Sequence, residues 1–417
     1  MSHRTRGPRA ALTLGLVATS ALVFAGCGTS SSSDSLTGNI RMLANITPAL
    51  TKQYYENLVA PFVKSHPGVT VTIESPSGKD VQSTLQQELA SGSTPDIVAS
   101  NLDPVVAPQM TTFPDASWVT STPLSQDNKV GGQIWQVDTG AQIQSLVFYN
   151  KDAFTKAGIA SPPTSLTEFT ADLGKLKAAN YVPLQTAGEW VTGAQFSMLA
   201  NPALLGTDSS WFTQRNNKKV NFAHSAYADY LDTYASWIQD GLVPKDSLGE
   251  KYQDSIDNFV AGHSGMYIIG NWLVPTLDTA KLGFQVGVFP TPTTNGAAPK
   301  QMSGPAQPYS ILKASQHQSL DLALVQYLVS DKTAITTSLK SEGNFRQGFS
   351  YPGSALNTSV GEVLNRAPGT VIGTSGPGIN SGFGNELDTV VQSLYTGQSG
   401  QQAAAALDTW WDANAGN

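Results

Sequence analysis

Val260–Pro275, VAGHSGMYIIGNWLVP in one-letter form, is the stretch that decides how the chain is read. Its middle, Met266 to Ile269, is a short apolar run bounded by Gly265 and Gly270. It is too short and too β-branched for a helix, so it reads as a buried strand. Gly270, Asn271 and Trp272 follow at once. A core strand therefore delivers an amide and a large flat ring to its carboxyl end, where ligands bind in open α/β sheets. Trp272 is equally compatible with a place in the core, since Trp is highly buried on average. The rest of the chain decides.

Working outward, the N-terminal third alternates strands and helices. Asn39 to Ala44 reads as a strand, and Thr47-Pro48 as a helix start with Leu50, Tyr54, Leu58 and Phe62 as one stripe. Pro61 is expected to bend or loosen that helix's last turn. Val69, Val71 and Ile73 alternate with threonines as a second strand, Val81, Leu85 and Leu89 mark a second helix, and Pro95 to Ala99 a third strand. This βαβαβ order predicts an α/β fold with parallel sheets wrapped by helices. Polar residues directly after the strands then rim a crevice. They are Asn45, Ser75, Ser77, Asn101 and Asp103, with Asn271 from the opening stretch. Each could instead cap the next helix.

Further along, Leu146 to Phe154 is a strand running into a helix, and Pro183-Leu184-Gln185 is a short strand that ends in Glu189-Trp190. Tyr227, Leu231, Tyr234 and Ile238 form an aromatic helix face best read as core. Phe284 to Phe289 is a strand, Gly373 to Gly384 a glycine-rich loop, and Ala403 to Trp411 a final helix.

At 417 residues the chain suggests two domains. Only 13% of residues are charged, a low share, with Gly, Ser, Thr, Asn and Gln in their place, as in exported proteins. The formal charge is −7, and loss of Arg4, Arg6 and Arg9 with the leader takes it to about −10. That excludes nucleic acid as a partner, because phosphate binding needs a basic face. One cysteine allows no intrachain disulfide, and five scattered histidines give no metal spacing and no metal site. No dinucleotide or phosphate-loop fingerprint is present, and no cofactor is expected. Residues 1–26 join a basic start to an apolar Ala10–Ala25 run, shorter than the ~20 residues that span a bilayer as a helix, and read as a targeting segment. Residues 27–37 are a Gly/Ser/Thr-rich tether.

Several modest motifs resemble one family across essentially everything after Cys27. Phe259, Gly262, Gly265-Met266, Gly270 and Trp272 resemble a segment of the sugar-binding proteins of ABC importers, the maltose-binding-protein-like group. So do Leu89 to Gly92 with Thr94 to Ile97. The most specific match is Tyr149 to Asp152 with Ala157-Gly158 and Pro162-Pro163. Phe24-Ala25-Gly26-Cys27 resembles a lipoprotein signal, with Phe where Leu is commonest.

The resemblance implies a two-lobed periplasmic-binding-protein fold of type II, each lobe a mainly parallel sheet flanked by helices, with the ligand cleft between. The lobes would be 38–147 with 307–345, and 148–306 with 346–417, the chain crossing near Leu146–Tyr149 and Gln307–Ile311. It implies that Glu189 and Trp190 are an acid-plus-aromatic pair contacting sugar and that Phe383 is a second stacking ring. It also implies cleavage before Cys27, diacylglycerol on its sulfur, anchoring at the outer face of the cell membrane, ABC permease subunits as partners, and a monomer. The expected function is capture of an extracellular mono- or oligosaccharide by hinge closure, with no catalysis.

The residue types suit that chemistry. Sugar ring faces pack on flat rings, here Trp190, Trp272 and Phe383; hydroxyls meet amides and carboxylates, here Asn45, Asn101, Asp103, Glu189 and Asn271. The alternatives are the same role for a polyamine, amino acid or phosphodiester, a ferric-ion binder suggested by Tyr54-Tyr55, and a glycoside hydrolase. The last would need Asp103 and Glu189 within ~5–10 Å of each other across one bond.

Overall fold

The computed structural model describes residues 36–414 apart from 79, 375 and 377. Cys27 and the leader lie outside the described residues, and Leu36 onward belongs to one compact unit.

The first three strands are β1 (Gly38–Ala44), β2 (Val69–Glu74) and β3 (Ile97–Ala99). They pair in parallel with β1 in the middle, Met42 lying opposite both Ile73 and Ile97. Met42 and Leu43 are both buried, against different core clusters, because helices cover both faces. The first helix is Lys52–Ser65 and starts later than Pro48. Thr51 is its cap, accepting from the Tyr54 N–H, while the Thr47 hydroxyl closes a separate turn onto the Leu50 N–H. The buried stripe is therefore Tyr55, Leu58, Val59 and Phe62, and Tyr54 is only half-buried. Pro61 lies within the last turn, yet the helix continues to Ser65.

A small hairpin, β4 (Lys129–Val130) and β5 (Gln133–Ile134), precedes β6 (Val137–Ile143). Only Gln144 and Ser145 separate β6 from β7 (Leu146–Asn150). With β8 (Val182–Gln185), β9 (Ser264–Ile269) and β10 (Val286–Pro290), β7 makes a second sheet in the order β10-β7-β9-β8. The chain returns along β11 (Gln301–Ile311), which pairs with β6, with β3 and, at its start, with β12 (Thr370–Val371).

The sheets are mixed rather than mainly parallel. In the second, β7 is antiparallel to both β9 and β10, and only β8 and β9 are parallel. The cause is the short β6–β7 link. It starts β7 at Leu146, opposite Ile269 at the carboxyl end of β9, so β7 must run the other way. Along β9 the side chains alternate between two cores. Met266 and Ile268 face one with Phe169, Leu173 and Leu176; Tyr267 and Ile269 face the other with Phe259 and Leu273. Burial on both faces is why this strand reads as an unbroken apolar run.

The C-terminal helices Phe383–Leu394 and Gly400–Ala413 pack on helices Val191–Thr207 and Ala226–Gln239 beside the second sheet. Trp411 is fully buried there and donates through Nε1 to Asn216 Oδ1. Buried Arg215 pairs with Asp408 at 3.0 Å and Asp412 at 2.8 Å.

Candidate functional site

The carboxyl ends of β1, β3, β8 and β9 converge on a cleft. Beyond β9, Gly270 lets Trp272 fold back over the backbone: a Cβ at position 270 would lie 2.0 Å from the indole. Trp272 sits in a single helical turn, Asn271–Leu273, and is part-buried. Beyond β8, Trp190 starts helix Val191–Thr207 and is 39% exposed. Its ring centroid lies 6.3 Å from Trp272 and 4.9 Å from Tyr252, with interplanar angles of 54° and 57°. Burial pushes the Tyr252 phenol's pKa well up. The three rings make one aromatic wall.

Glu189 supports this wall. It is held at φ +56°, a region non-glycine residues seldom occupy. Its Oε2 accepts from the Tyr252 N–H at 2.9 Å, at the start of helix Tyr252–Val260, and its carbonyl accepts from Gln392. The carboxylate thus ties Trp190 to Tyr252. Across the cleft, Asp103 has both oxygens engaged. Oδ1 accepts from the Val105 N–H and Oδ2 from the Gly382 N–H, at 2.9 and 2.8 Å. The second bond reaches from the end of β3 to the glycine that precedes helix Phe383–Leu394. Asn45 and Asn101 are exposed and line the cleft.

Two expected site residues are core instead. Phe383 is 1% exposed, packed among Phe212, Phe222 and Trp411, because the helix it begins turns that face inward; it cannot stack on a ligand. Asn271 is fully buried. Its Oδ1 accepts from the Ile143 N–H at 2.6 Å, and its Nδ2 lies 2.9 Å from Glu342 O, Gly343 O and Asn344 Oδ1. It pins the end of β6 to the end of helix Lys332–Glu342.

The cleft comprises adjoining cavities. One of about 260 Å³ is lined by the aromatic wall together with Asn45, Gln142 and Glu342. It shares Asn45, Gln142, Trp190 and Glu342 with a cavity of about 500 Å³ that reaches Asn101 and Asp103. A third, of about 360 Å³, is lined by Trp135, by Lys129 and Val130 of the β4–β5 hairpin, and by Ile372, Gly373 and Ile379.

Several lining residues carry no sequence signal of their role. Gln142 and Gln144 alternate along and just beyond β6. Gln307 sits in β11 at φ +48° with the pairing register to β6 unchanged on either side, its amide bonded to Tyr54, Ser338 and Ser341. The Tyr54 hydroxyl donates to Gln307 Oε1 at 2.6 Å, and burial pushes its pKa up to about 12. Asp388 accepts from Gly193 N and Thr192 Oγ1 at the start of helix Val191–Thr207, where a negative charge meets the helix dipole. Glu342 is buried between helix and cleft. Among the described residues no three His, Cys, Asp or Glu side chains are placed to hold a metal ion, and no helix is long and apolar enough to cross a membrane.

Over residues 47–335 the sequence matches the family model of bacterial extracellular solute-binding proteins. The chain belongs to that family. These are binding proteins rather than enzymes, and the hydrolase alternative ends here, with Asp103 and Glu189 both committed to backbone N–H groups. Among relatives of this solute-binding protein is the multiple sugar-binding protein of Streptococcus mutans. It is 20% identical over 304 residues, 68% of this chain and 70% of that one. A solved chitin oligosaccharide binding protein superposes with a TM-score of 0.76 at 19% identity, covering 91% of this chain and 100% of its own. A manno-oligosaccharide specific solute-binding protein of Bifidobacterium animalis subsp. lactis, solved with mannotriose, gives 0.72 at 20% identity, covering 91% and 95%. The solute-binding protein therefore has the α/β fold of the periplasmic binding proteins.

Proposed function

We propose that this protein captures an extracellular sugar and delivers it to an ABC permease. The observation that carries the reading is the Trp190–Tyr252–Trp272 wall, which lines one cavity together with Asn45, Gln142 and Glu342. Flat rings take the C–H faces of a sugar, and amides and carboxylates take its hydroxyls. Relatives named for sugars, or solved with them, support it. A micromolar complex needs about −8 kcal/mol, within reach of one or two stacked rings and several hydrogen bonds.

In this reading the lobes are 38–147 with 307–345 and 148–306 with 346–417. A ligand touching both favours the closed arrangement and shifts the hinge toward it. The Asp103–Gly382 bond spans the cleft in the way a closing contact would. Cys27 carries diacylglycerol, whose two chains supply the second signal that a single acyl chain lacks, and holds the protein at the outer face of the membrane. Cys27→Ser is expected to release the protein to the soluble fraction or stall its processing; unchanged processing and membrane fractionation would count against the anchor.

The function is tested by thermal unfolding of the protein against sugars, polyamines, amino acids and metal ions, since a ligand of the folded state raises its stability. Stabilisation by a sugar, recovered uncleaved after long incubation, is expected. Stabilisation by a polyamine or metal alone, or release of cleaved product, overturns it.

A further inference from the structure

We infer that Glu342 is a specificity-determining residue of the cleft: it reads a hydrogen-bond donor on a neutral or amino sugar and excludes acidic sugars. The inference rests on the sugar reading above and assigns its charge selectivity to one side chain.

Glu342 is the last residue of helix Lys332–Glu342 and is 5% exposed. Among the described residues it is the one carboxylate that lines both the aromatic cavity and the central one. Its hydrogen-bond partner is a neutral amide: Asn344 Nδ2 donates to Oε2 at 3.2 Å. A carboxylate offers about four acceptor positions, so one amide leaves capacity for a donor arriving in the cavity.

The other acids of the central cavity are spent. Asp103 serves two N–H groups, Asp388 Oδ1 serves Gly193 and Thr192, and Asp80 is an exposed helix cap bonded to Ser83. No Lys or Arg is among the described residues lining either cavity. A ligand carboxylate or phosphate seated against the aromatic wall would face Glu342 with no cation to offset it. Like charges sharing a buried site cannot both ionise without cost. Burial already pushes the Glu342 carboxyl upward, and a second anion would push it further. A hydroxyl or ammonium donor does the reverse.

The side chain is also held in place. Asn271 bonds the Glu342 carbonyl and Asn344, and Trp272 is the next residue, so one buried amide sets carboxylate and ring together.

The test is isothermal titration of the full chain with raffinose, maltotriose, cellotriose and mannotriose, and with each oxidised at a terminal primary alcohol to the uronate. The wild type is expected to bind the uronate of its tightest trisaccharide at least 100-fold more weakly than the parent sugar. In Glu342→Gln, which keeps an acceptor for Asn344, that gap should shrink below 10-fold while thermal unfolding stays at or above the wild-type temperature. Glu362→Gln, at an exposed acid that lines neither cavity, should leave the gap unchanged. Equal binding of sugar and uronate by the wild type, or a 100-fold gap persisting in Glu342→Gln, overturns the inference while the sugar reading stands. Binding of none of the neutral sugars by the wild type overturns both.

Discussion

Replacing Asn271 with Ala separates a structural role from a ligand contact. The side chain satisfies the Ile143 N–H and the last carbonyls of helix Lys332–Glu342, all inside a fully buried pocket. Truncation leaves an N–H and at least one carbonyl without a partner. Each buried orphan costs ~1–3 kcal/mol. Two of them, less some relaxation, give a loss of ~2–5 kcal/mol. A large unit shifts by ~2 °C per kcal/mol, the low end of the range for smaller domains, so the midpoint should fall by ~4–10 °C. Differential scanning calorimetry without ligand reads this directly. Sugar affinity should fall as well, because Trp272 and Glu342 lose their common anchor. A midpoint within 2 °C of wild type refutes the reasoning. If affinity collapses at an unchanged midpoint, Asn271 is a ligand contact, as its place after β9 first suggests.

Three further expectations follow from the packing and the charges. Phe383→Ala should destabilise by ~3–5 kcal/mol, as for a large core ring, with sugar affinity kept in the folded fraction; loss of affinity at unchanged stability would return Phe383 to the site. Gly270→Ala drives a Cβ into the Trp272 ring, so the indole must leave its place; unchanged tryptophan fluorescence and affinity would show that the ring is not held as described. Buried Asp321 accepts from Ser315 at 2.5 Å, and burial, with Asp96 adding to it and His317 opposing, raises its pKa from 3.8 to about 6. Its folded pKa exceeds the unfolded one, so ionisation costs stability, with a loss of roughly 3 kcal/mol that develops between about pH 4 and 6 and is complete above. Asp321→Asn should remove that loss, raising the midpoint at pH 7 relative to wild type but not at pH 4; the same difference at both would refute it.

The elements were legible where burial imposes a period. Met266 to Ile269 is apolar throughout because it faces two cores, and β2 alternates Val and Thr. The mixed sense of the second sheet was not, since it depends on a two-residue link whose effect appears only when Leu146 lands beside Ile269. Trp272 was found through its place after a strand and Trp190 through the family resemblance, and the structure brings their rings together. Phe383 failed because a resemblance carries position along the chain but not the side a helix turns inward. Asn271 failed because an amide at a strand end reads equally as ligand contact or clamp, and its partners lie some 70 residues further on. Glu342 escaped notice for the same reason: nothing near it in sequence marks it, and only the fold puts it in the cavity with the aromatic wall.

The central claim is that a sugar seats against that wall, and Trp190 tests it most directly. At 39% exposed it is the most open ring of the wall, so Trp190→Ala should stay folded, with its far-ultraviolet circular dichroism unchanged. Isothermal titration of both proteins with the panel's best sugar is expected to show a loss of ~2–4 kcal/mol in binding, the scale of a central aromatic contact. Equal affinity in the two proteins would contradict the account.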